Sequence, residues 1–149
     1  MTEVSFYHLE RQSLDQVLPK LLERVVDSGL RAVVLTGSDE RVERLNALLW
    51  TYDDGSFLPH GAKADGNLAD QPIYLTTEEE NPNGATVLTV IDGVRPTYIG
   101  EFDRCLEVFN GHDDGEVSAA RERWKQYKDL GYAVTYWQQS PQGKWEKKA

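Results

Sequence analysis

Residues 31–36 read Arg-Ala-Val-Val-Leu-Thr, and this continuous apolar run of strand length predicts the centre of the fold. Runs without polar alternation are typical of strands that are covered on both faces, as in parallel sheets. An amphipathic helix precedes the run, with Ser13 as its N-cap and Gly29 at its end. A second amphipathic helix follows it and ends at Trp50. This alternation of strands and helices predicts an α/β sandwich with a largely parallel sheet.

The second half of the chain continues the sheet. Two β-prone segments, 73–76 and 86–91, follow each other without a helix between them, which predicts an antiparallel portion and hence a mixed sheet. Residues 1–138 contain no linker and are expected to form one domain, whereas residues 139–149 are expected to form a polar tail that frays, apart from Trp145. The remaining elements are predicted as strands at 4–9, 104–109 and 132–137 and as a helix at 116–130.

Length and composition exclude several classes of protein. A chain of 149 residues is long enough for one packed domain. Its single cysteine, Cys105, excludes an internal disulfide framework and zinc sites built from several cysteines. No apolar run approaches a membrane span and no leader pattern opens the sequence. We therefore expect a soluble protein of a reducing compartment, the cytoplasm, without membrane contact.

The charge of the chain is unevenly distributed. The whole sequence carries a net charge of −9, but residues 121–149 carry +4 and residues 1–120 carry −13. The acidic total disfavours strong direct binding of nucleic acid, which depends on neutralising phosphates. The basic C-terminal part has two interpretations: a solvated helix face with a charged tail, or a docking site for an acidic ligand.

The sequence offers no recognisable catalytic, metal or cofactor site. The turn at 36–39 lacks the Gly-Lys-Ser of a phosphate-binding loop and predicts an ordinary helix start. The His-Asp-Asp run at 112–114 could bind a divalent cation, but its aspartates equally suit a helix N-terminus. Cys105 lies in a β-prone run and is expected to be buried and inert. We therefore expect no cofactor, no metal and no catalysis.

An alternative function remains open at this point. The loop from Tyr52 to Gln71 is longer than compact domains usually contain, and it could hold the unrecognised site of a small α/β enzyme or nucleotide-binding protein. Such a protein should show convergent titratable groups in a pocket. A binding module should instead show exposed aromatic surfaces.

Two groups of residues suit binding. Trp50 and Phe57 bracket a segment that also contains Pro59, and such aromatics are either core residues or exposed anchors for a partner. In the second group, Arg121, Trp124, Lys125 and Lys128 share one face of the last helix, with Tyr127 beside Trp124. Cations interleaved with aromatic rings suit an acidic ligand that ends in an apolar group.

Three segments of the sequence resemble the chi subunit of bacterial DNA polymerase III holoenzyme. They read Phe-Tyr-His-Leu at 6–9, Ala-Leu-Leu-Trp at 47–50 followed by Ser-Phe-Leu-Pro-His at 56–60, and Ala-Arg-Glu-Arg-Trp-Lys-Gln-Tyr-Lys-Asp-Leu-Gly-Tyr at 120–132. Their order and separations also match, and together they span nearly the whole chain. The resemblance implies a Rossmann-like three-layer α/β/α sandwich with a mixed, largely parallel central sheet.

The resemblance also implies a function and two sites. Chi proteins are non-catalytic subunits of the replicase that bind the acidic C-terminal tail of single-stranded-DNA-binding protein, which ends in phenylalanine after several aspartates. This implies a tail site at Arg121, Trp124, Lys125 and Tyr127, with Lys128 at its periphery. Here Trp124 stands where better-known members have tyrosine, and the chain extends past the strand with which many members end.

The second implied surface links chi to other proteins. In the family it binds the psi subunit, which tethers chi to the clamp loader, or alternatively an iron–sulfur helicase. The corresponding residues of this chain are Trp50, Phe57 and Pro59.

Overall fold

The described part of the chain forms one sheet of eight strands. The computed structural model of the protein describes residues 2–10, 12–51, 60–62, 65–66, 68–142 and 144–148. The strands are β1 (Glu3–Leu9), β2 (Ala32–Leu35), β3 (Gly61–Ala62), β4 (Ile73–Thr76), β5 (Val87–Val90), β6 (Arg104–Asn110), β7 (Ala133–Gln139) and β8 (Trp145–Lys147).

Helices connect these strands. The α-helices among the described residues are α1 (Leu14–Asp27), α2 (Asp39–Thr51) and α3 (Asp114–Asp129), and short 3₁₀ turns occupy Leu68–Asp70 and Ile99–Glu101. None of the helices in this part of the chain is both long and apolar enough to cross a bilayer.

The sheet has the order β3-β4-β2-β5-β6-β1-β7-β8, and every neighbouring pair is parallel except β7 and β8. The predicted α/β fold with a mixed, largely parallel sheet is confirmed. The predicted position of the antiparallel portion is wrong. β4 and β5 do not pair with each other, because both pair in parallel with β2, in which Ala32 lies opposite Ile73 and Val87.

The C-terminal segment is more ordered than the sequence suggests. Residues 139–149 were expected to fray, but Gln139 completes β7, and β8 pairs antiparallel with it. Trp145 packs edge-to-face on Tyr7 with ring centroids 5.2 Å apart. Apolar contact of this kind stabilises a short edge strand that its polar neighbours would not hold. The prediction that this segment frays is therefore wrong. The end of the domain at residue 138 stays a prediction.

The sheet has an apolar core on each face. Alternate residues of β2 point to opposite sides, so that Ala32 and Val34 belong to one cluster and Val33 and Leu35 to the other. α1 and α2 cover the first face, and α3 covers the second. This is the three-layer sandwich expected of a Rossmann-like fold.

The helix ends follow the capping residues in the sequence. The Ser13 N–H donates to the side-chain oxygen of Gln16 at 2.9 Å, so that Ser13 is the N-cap of α1 as predicted. The Asp113 carboxylate accepts from the Glu116 N–H at 3.1 Å and caps α3. Gly131 follows α3 at φ +90°, a conformation that side chains disfavour. These caps fix where α3 begins and ends over the sheet.

Candidate functional site

The inner face of α3 contains part of the basic–aromatic sequence. α3 lies across β6, β1 and β7, and it buries Ala120, Arg123 and Tyr127. Arg123 Nε donates to Glu107 Oε2 at 2.8 Å, and the two residues are only 2% and 1% exposed. The Tyr127 hydroxyl donates to Glu107 Oε1 at 3.2 Å. Together they form a buried polar cluster between α3 and β6.

Burial dominates the acid–base behaviour of this buried cluster. It raises the pKa of Glu107 from the ordinary 4.5 to about 6, although the Arg123 guanidinium opposes the rise. Burial also raises the pKa of Tyr127, and the nearby Glu107 carboxylate adds to the effect. Tyr127 therefore stays protonated and donates its hydrogen bond.

Tyr127 does not lie where the sequence predicts it. The sequence places Tyr127 beside Trp124 in the predicted tail site, but Tyr127 is only 6% exposed and packs with its ring centroid 6.2 Å from that of Phe6. The structure does not bring Tyr127 to the surface beside Trp124. The reason is helical geometry, because residue 127 lies nearly above the buried Ala120, two turns away.

The outer face of α3 presents the remaining residues of the predicted site. Arg121, Lys125 and Lys128 are exposed, and Trp124 is half-buried. Lys128 Nζ lies 4.5 Å from the centroid of the Trp124 ring, one helical turn away. Four of the five residues predicted for the tail site therefore lie together on one side of the helix.

This side of α3 faces β7. Burial raises the pKa of Tyr136 on β7, and the guanidinium of Arg121 opposes that rise. Val134, Tyr136 and Trp124 are partly buried against the same apolar cluster. We call this surface the α3–β7 groove; it consists of Arg121, Trp124, Lys125 and Lys128 on α3 and Val134 and Tyr136 on β7.

The strand residues of the groove were not predicted as site residues. The alternation of residues 132–137 places Val134 and Tyr136 on one face of a strand. Val134 and Tyr136 belong to the groove because α3 covers their face of the strand. The sequence does not show which face α3 covers.

Polar contacts of His8 position Tyr136. His8 Nδ1 lies 2.6 Å from the Tyr136 hydroxyl, and His8 Nε2 lies 2.8 Å from Glu10 Oε1. Burial lowers the pKa of His8, and Glu10 opposes this change. Gly111 packs so closely against His8 that a Cβ at position 111 would overlap the imidazole. These contacts orient the phenol of Tyr136 on the β7 side of the groove.

The second predicted surface is described only in part. Trp50 is 59% exposed at the end of α2, and its ring centroid lies 5.0 Å from that of His60. Of the two interpretations of Trp50, core residue or exposed aromatic, the structure supports the second. Phe57 and Pro59 lie outside the described residues, and the role of all three residues stays a prediction.

The described surroundings of the loop between Tyr52 and Gln71 contain an acidic cleft of about 340 Å³. Asp65, Glu78 and Glu80 are among its lining residues. Burial, together with Glu80, raises the pKa of Tyr74 beside it to about 12, so this phenol is a hydrogen-bond donor and not a base at neutral pH. Residues 52–59 lie outside the described residues, and the hypothesis of an enzyme site there stays a prediction.

The residue types that bind metals are dispersed in the described part of the chain. Among the residues that the structure describes, no three histidine, cysteine or acidic side chains are placed to share a metal ion. Asp113 of the His-Asp-Asp run caps α3, as the alternative interpretation predicted. Cys105 is buried, and burial raises the pKa of its thiol, which keeps it protonated.

These features define a Rossmann-like α/β protein whose last helix and neighbouring strand form a basic, aromatic groove. A family model described as "DNA polymerase III chi subunit, HolC" matches residues 1–135. The chain belongs to this family, which consists of accessory subunits in DNA replication. Membership implies protein–protein partnership within the replication machinery.

Similar proteins have names consistent with the family. The chain is 37% identical over 109 residues to the probable DNA polymerase III subunit chi of Rickettsia prowazekii, covering 73% of this chain and 66% of the relative. It is 24% identical over 137 residues to the DNA polymerase III subunit chi of Pseudomonas aeruginosa, covering 90% and 94%. The identity to the DNA polymerase III subunit chi of Escherichia coli is 21% over 141 residues, covering 89% and 95%.

Proposed function

We propose that this chain is a non-catalytic adaptor of the cytoplasmic DNA replicase. It binds the acidic C-terminal tail of single-stranded-DNA-binding protein in the α3–β7 groove. Through a second surface at Trp50, Phe57 and Pro59 it binds either a psi subunit, and thereby the clamp loader, or an iron–sulfur repair helicase. The resemblance of the sequence suggests these partners, and the placement of the described residues supports them.

The observation that most supports the tail site is the arrangement around Trp124. Its indole is half-buried, with Lys128 above the ring and the exposed Arg121 and Lys125 on the same side of α3. A peptide that ends in phenylalanine can place its ring against Trp124 and its carboxylates on these cations. With Tyr127 buried, the apolar contact is made by Trp124 together with Val134 and Tyr136.

Calorimetry with a synthetic tail peptide tests the proposal. A hydrogen bond to a charged group contributes roughly 1.5–3 kcal/mol, so Lys125→Ala should weaken binding by about ten-fold to a hundred-fold. Lys125→Glu should weaken it further, since it adds repulsion. The matched control is Lys20→Glu, which makes the same charge change at an exposed position of α1 on the opposite side of the sheet.

A second peptide without the terminal phenylalanine isolates the apolar contact. It should bind more weakly to the unmodified chain, and Trp124→Ala should reduce the difference between the two peptides. Equal affinity of both peptides would contradict the apolar contact. An unaffected Lys125→Glu variant would place the tail site elsewhere.

The second surface is tested at Trp50. Truncation of an aromatic anchor in an interface typically costs about 2 kcal/mol or more. Because Trp50 is largely exposed, Trp50→Ala should weaken capture of psi or the helicase by about thirty-fold and leave the melting temperature nearly unchanged. The control is Trp124→Ala, which should retain this capture. A loss of stability of about 3–5 kcal/mol for Trp50→Ala would identify a core residue instead.

A further inference from the structure

We infer that β8 and the two lysines that flank it, Lys144 and Lys148, form a second basic rim of the α3–β7 groove, at which these lysines bind acidic residues upstream of the peptide's C-terminus. The inference rests on the proposed function, because it extends the same peptide site. It concerns the segment after β7, which the sequence suggested to be a frayed tail.

Backbone hydrogen bonds determine which way β8 faces. The Ser140 N–H donates to the Lys144 carbonyl at 2.7 Å, and the Lys148 N–H donates to the Tyr136 carbonyl at 2.7 Å. Residues directly opposite each other in an antiparallel pair have side chains on the same face. Lys148 therefore lies on the same face of the sheet as Tyr136, which is one of the β7 residues of the groove. Lys144 lies on that face as well, because side chains two and four residues apart in a strand point the same way.

Trp145 and Lys147 of β8 lie on the opposite face of the sheet. Lys147 pairs with Trp137, one residue out of phase with Tyr136. Trp145 packs on Tyr7 and on the core cluster beneath α1. The strand thus anchors itself with Trp145 on one face and presents Lys144 and Lys148 on the other. Lys147 provides a matched control, because it is a lysine of the same strand on the wrong face.

The charges on the groove face favour an acidic ligand. Arg121, Lys125 and Lys128 on α3 are joined across β7 by Lys144 and Lys148. Two carboxylates lie on this face. Glu146 lies 3.7 Å from Lys148 Nζ in an exposed ion pair, and Glu10 accepts from Gln138 Nε2 at 3.0 Å and lies 2.8 Å from His8 Nε2. Exposed pairs of this kind are weak, so an incoming carboxylate can compete for Lys148. The net charge of −13 on residues 1–120 disfavours an extended nucleic-acid strand as the occupant.

The spacing of the two lysines sets the length of peptide that can reach both. At about 3.3 Å per residue, Lys144 and Lys148 are about 13 Å apart along the strand. A peptide of about four residues is at most about 13 Å long, the distance between the two lysines alone, so one that is fixed by its C-terminal phenylalanine at Trp124 cannot contact both of them. A peptide of about nine residues, roughly 30 Å when extended, can follow the whole groove.

The experiment compares these two peptides by calorimetry with the full chain at about 0.15 M salt, where screening limits effects at a distance. Both peptides consist of aspartates before a C-terminal phenylalanine. The double variant Lys144→Glu, Lys148→Glu should weaken binding of the longer peptide by about ten-fold and change that of the shorter one by less than about two-fold. Lys147→Glu should leave both affinities within about two-fold.

A gain-of-affinity variant shows that the effect is not due to misfolding. Glu146→Gln removes the competing carboxylate and should tighten binding of the longer peptide by about two-fold to five-fold. Unchanged affinity of the longer peptide for the double variant would overturn the inference. An equal loss for both peptides, or an equal effect of Lys147→Glu, would overturn it as well.

Failure of the inference is distinguishable from failure of the proposed function. If Lys125→Glu weakens binding of both peptides and the β8 variants change the affinity of neither, the tail site is supported and the second rim is wrong. If Lys125→Glu changes neither peptide, the tail site itself is wrong. A single-stranded oligonucleotide serves as the competing ligand. If it binds as tightly as the longer peptide and is weakened equally by the double variant, the groove binds nucleic acid and the inference is overturned.

Discussion

The two faces of α3 consist of the same kinds of residues and behave in opposite ways. Arg123 and Tyr127 on the inner face are buried with Glu107, whereas Arg121 and Trp124 on the outer face border the groove. Residue type therefore does not separate structural from binding residues in this segment. The angle around the helix does, because a step of two residues rotates a side chain by about 200°.

The difference has an energetic basis. A buried arginine depends on its partner, since an unpaired charge in the core is strongly unfavourable. The charge of an exposed arginine is solvated, so its removal costs the protein little stability. The inner face should therefore respond to substitution through stability, and the outer face through binding.

The largest expected effect tests this contrast directly. Arg123→Met removes the partner of Glu107 and should lower the free energy of unfolding by about 3–5 kcal/mol in chemical denaturation at pH 7. Arg121→Met, the matched change two residues earlier, should alter it by less than about 0.5 kcal/mol. Equal stability losses in the two variants would contradict the distinction between the faces.

A smaller effect concerns pH and the inner face alone. The pKa of Glu107 is raised to about 6 in the folded protein, so the folded state favours the protonated form. The stability from this group is fully present below its unfolded pKa, near 4.5, and is lost as pH rises through 6. A rise from 4.5 to about 6 corresponds to about 2 kcal/mol.

Denaturation at several pH values measures this loss. The free energy of unfolding of the unmodified chain, minus that of Glu107→Gln, should fall by about 2 kcal/mol between pH 4 and pH 7, since glutamine cannot titrate. A difference that rises with pH would show that Arg123 holds the Glu107 pKa below its ordinary range.

The sequence predicts α3 and its exposed cations, because periodicity and capping residues are local signals. It does not predict the burial of Tyr127, because the local sequence does not show that the side of α3 with Ala120 and Tyr127 packs on β6, where Glu107 accepts from the Tyr127 hydroxyl. β8 is missed for a related reason. Its three residues are too few to show alternation, and it is stabilised by pairing with β7 and by the contact of Trp145 with Tyr7. Phe57 and Pro59 remain sequence predictions.

The smallest expected effect lies within the outer face. Lys128 Nζ is placed over the Trp124 ring at i, i+4, and an exposed cation–π pair contributes about 0.5–1 kcal/mol. A double-mutant cycle with Lys128→Ala and Trp124→Leu should give a coupling energy in that range from denaturation of the free chain. The same cycle with Lys125→Ala should give a coupling near zero, because adjacent residues on a helix do not face each other. Coupling of equal size in both cycles would indicate a general effect of charge on α3, and no coupling in either would show that Lys128 does not rest on the indole in solution.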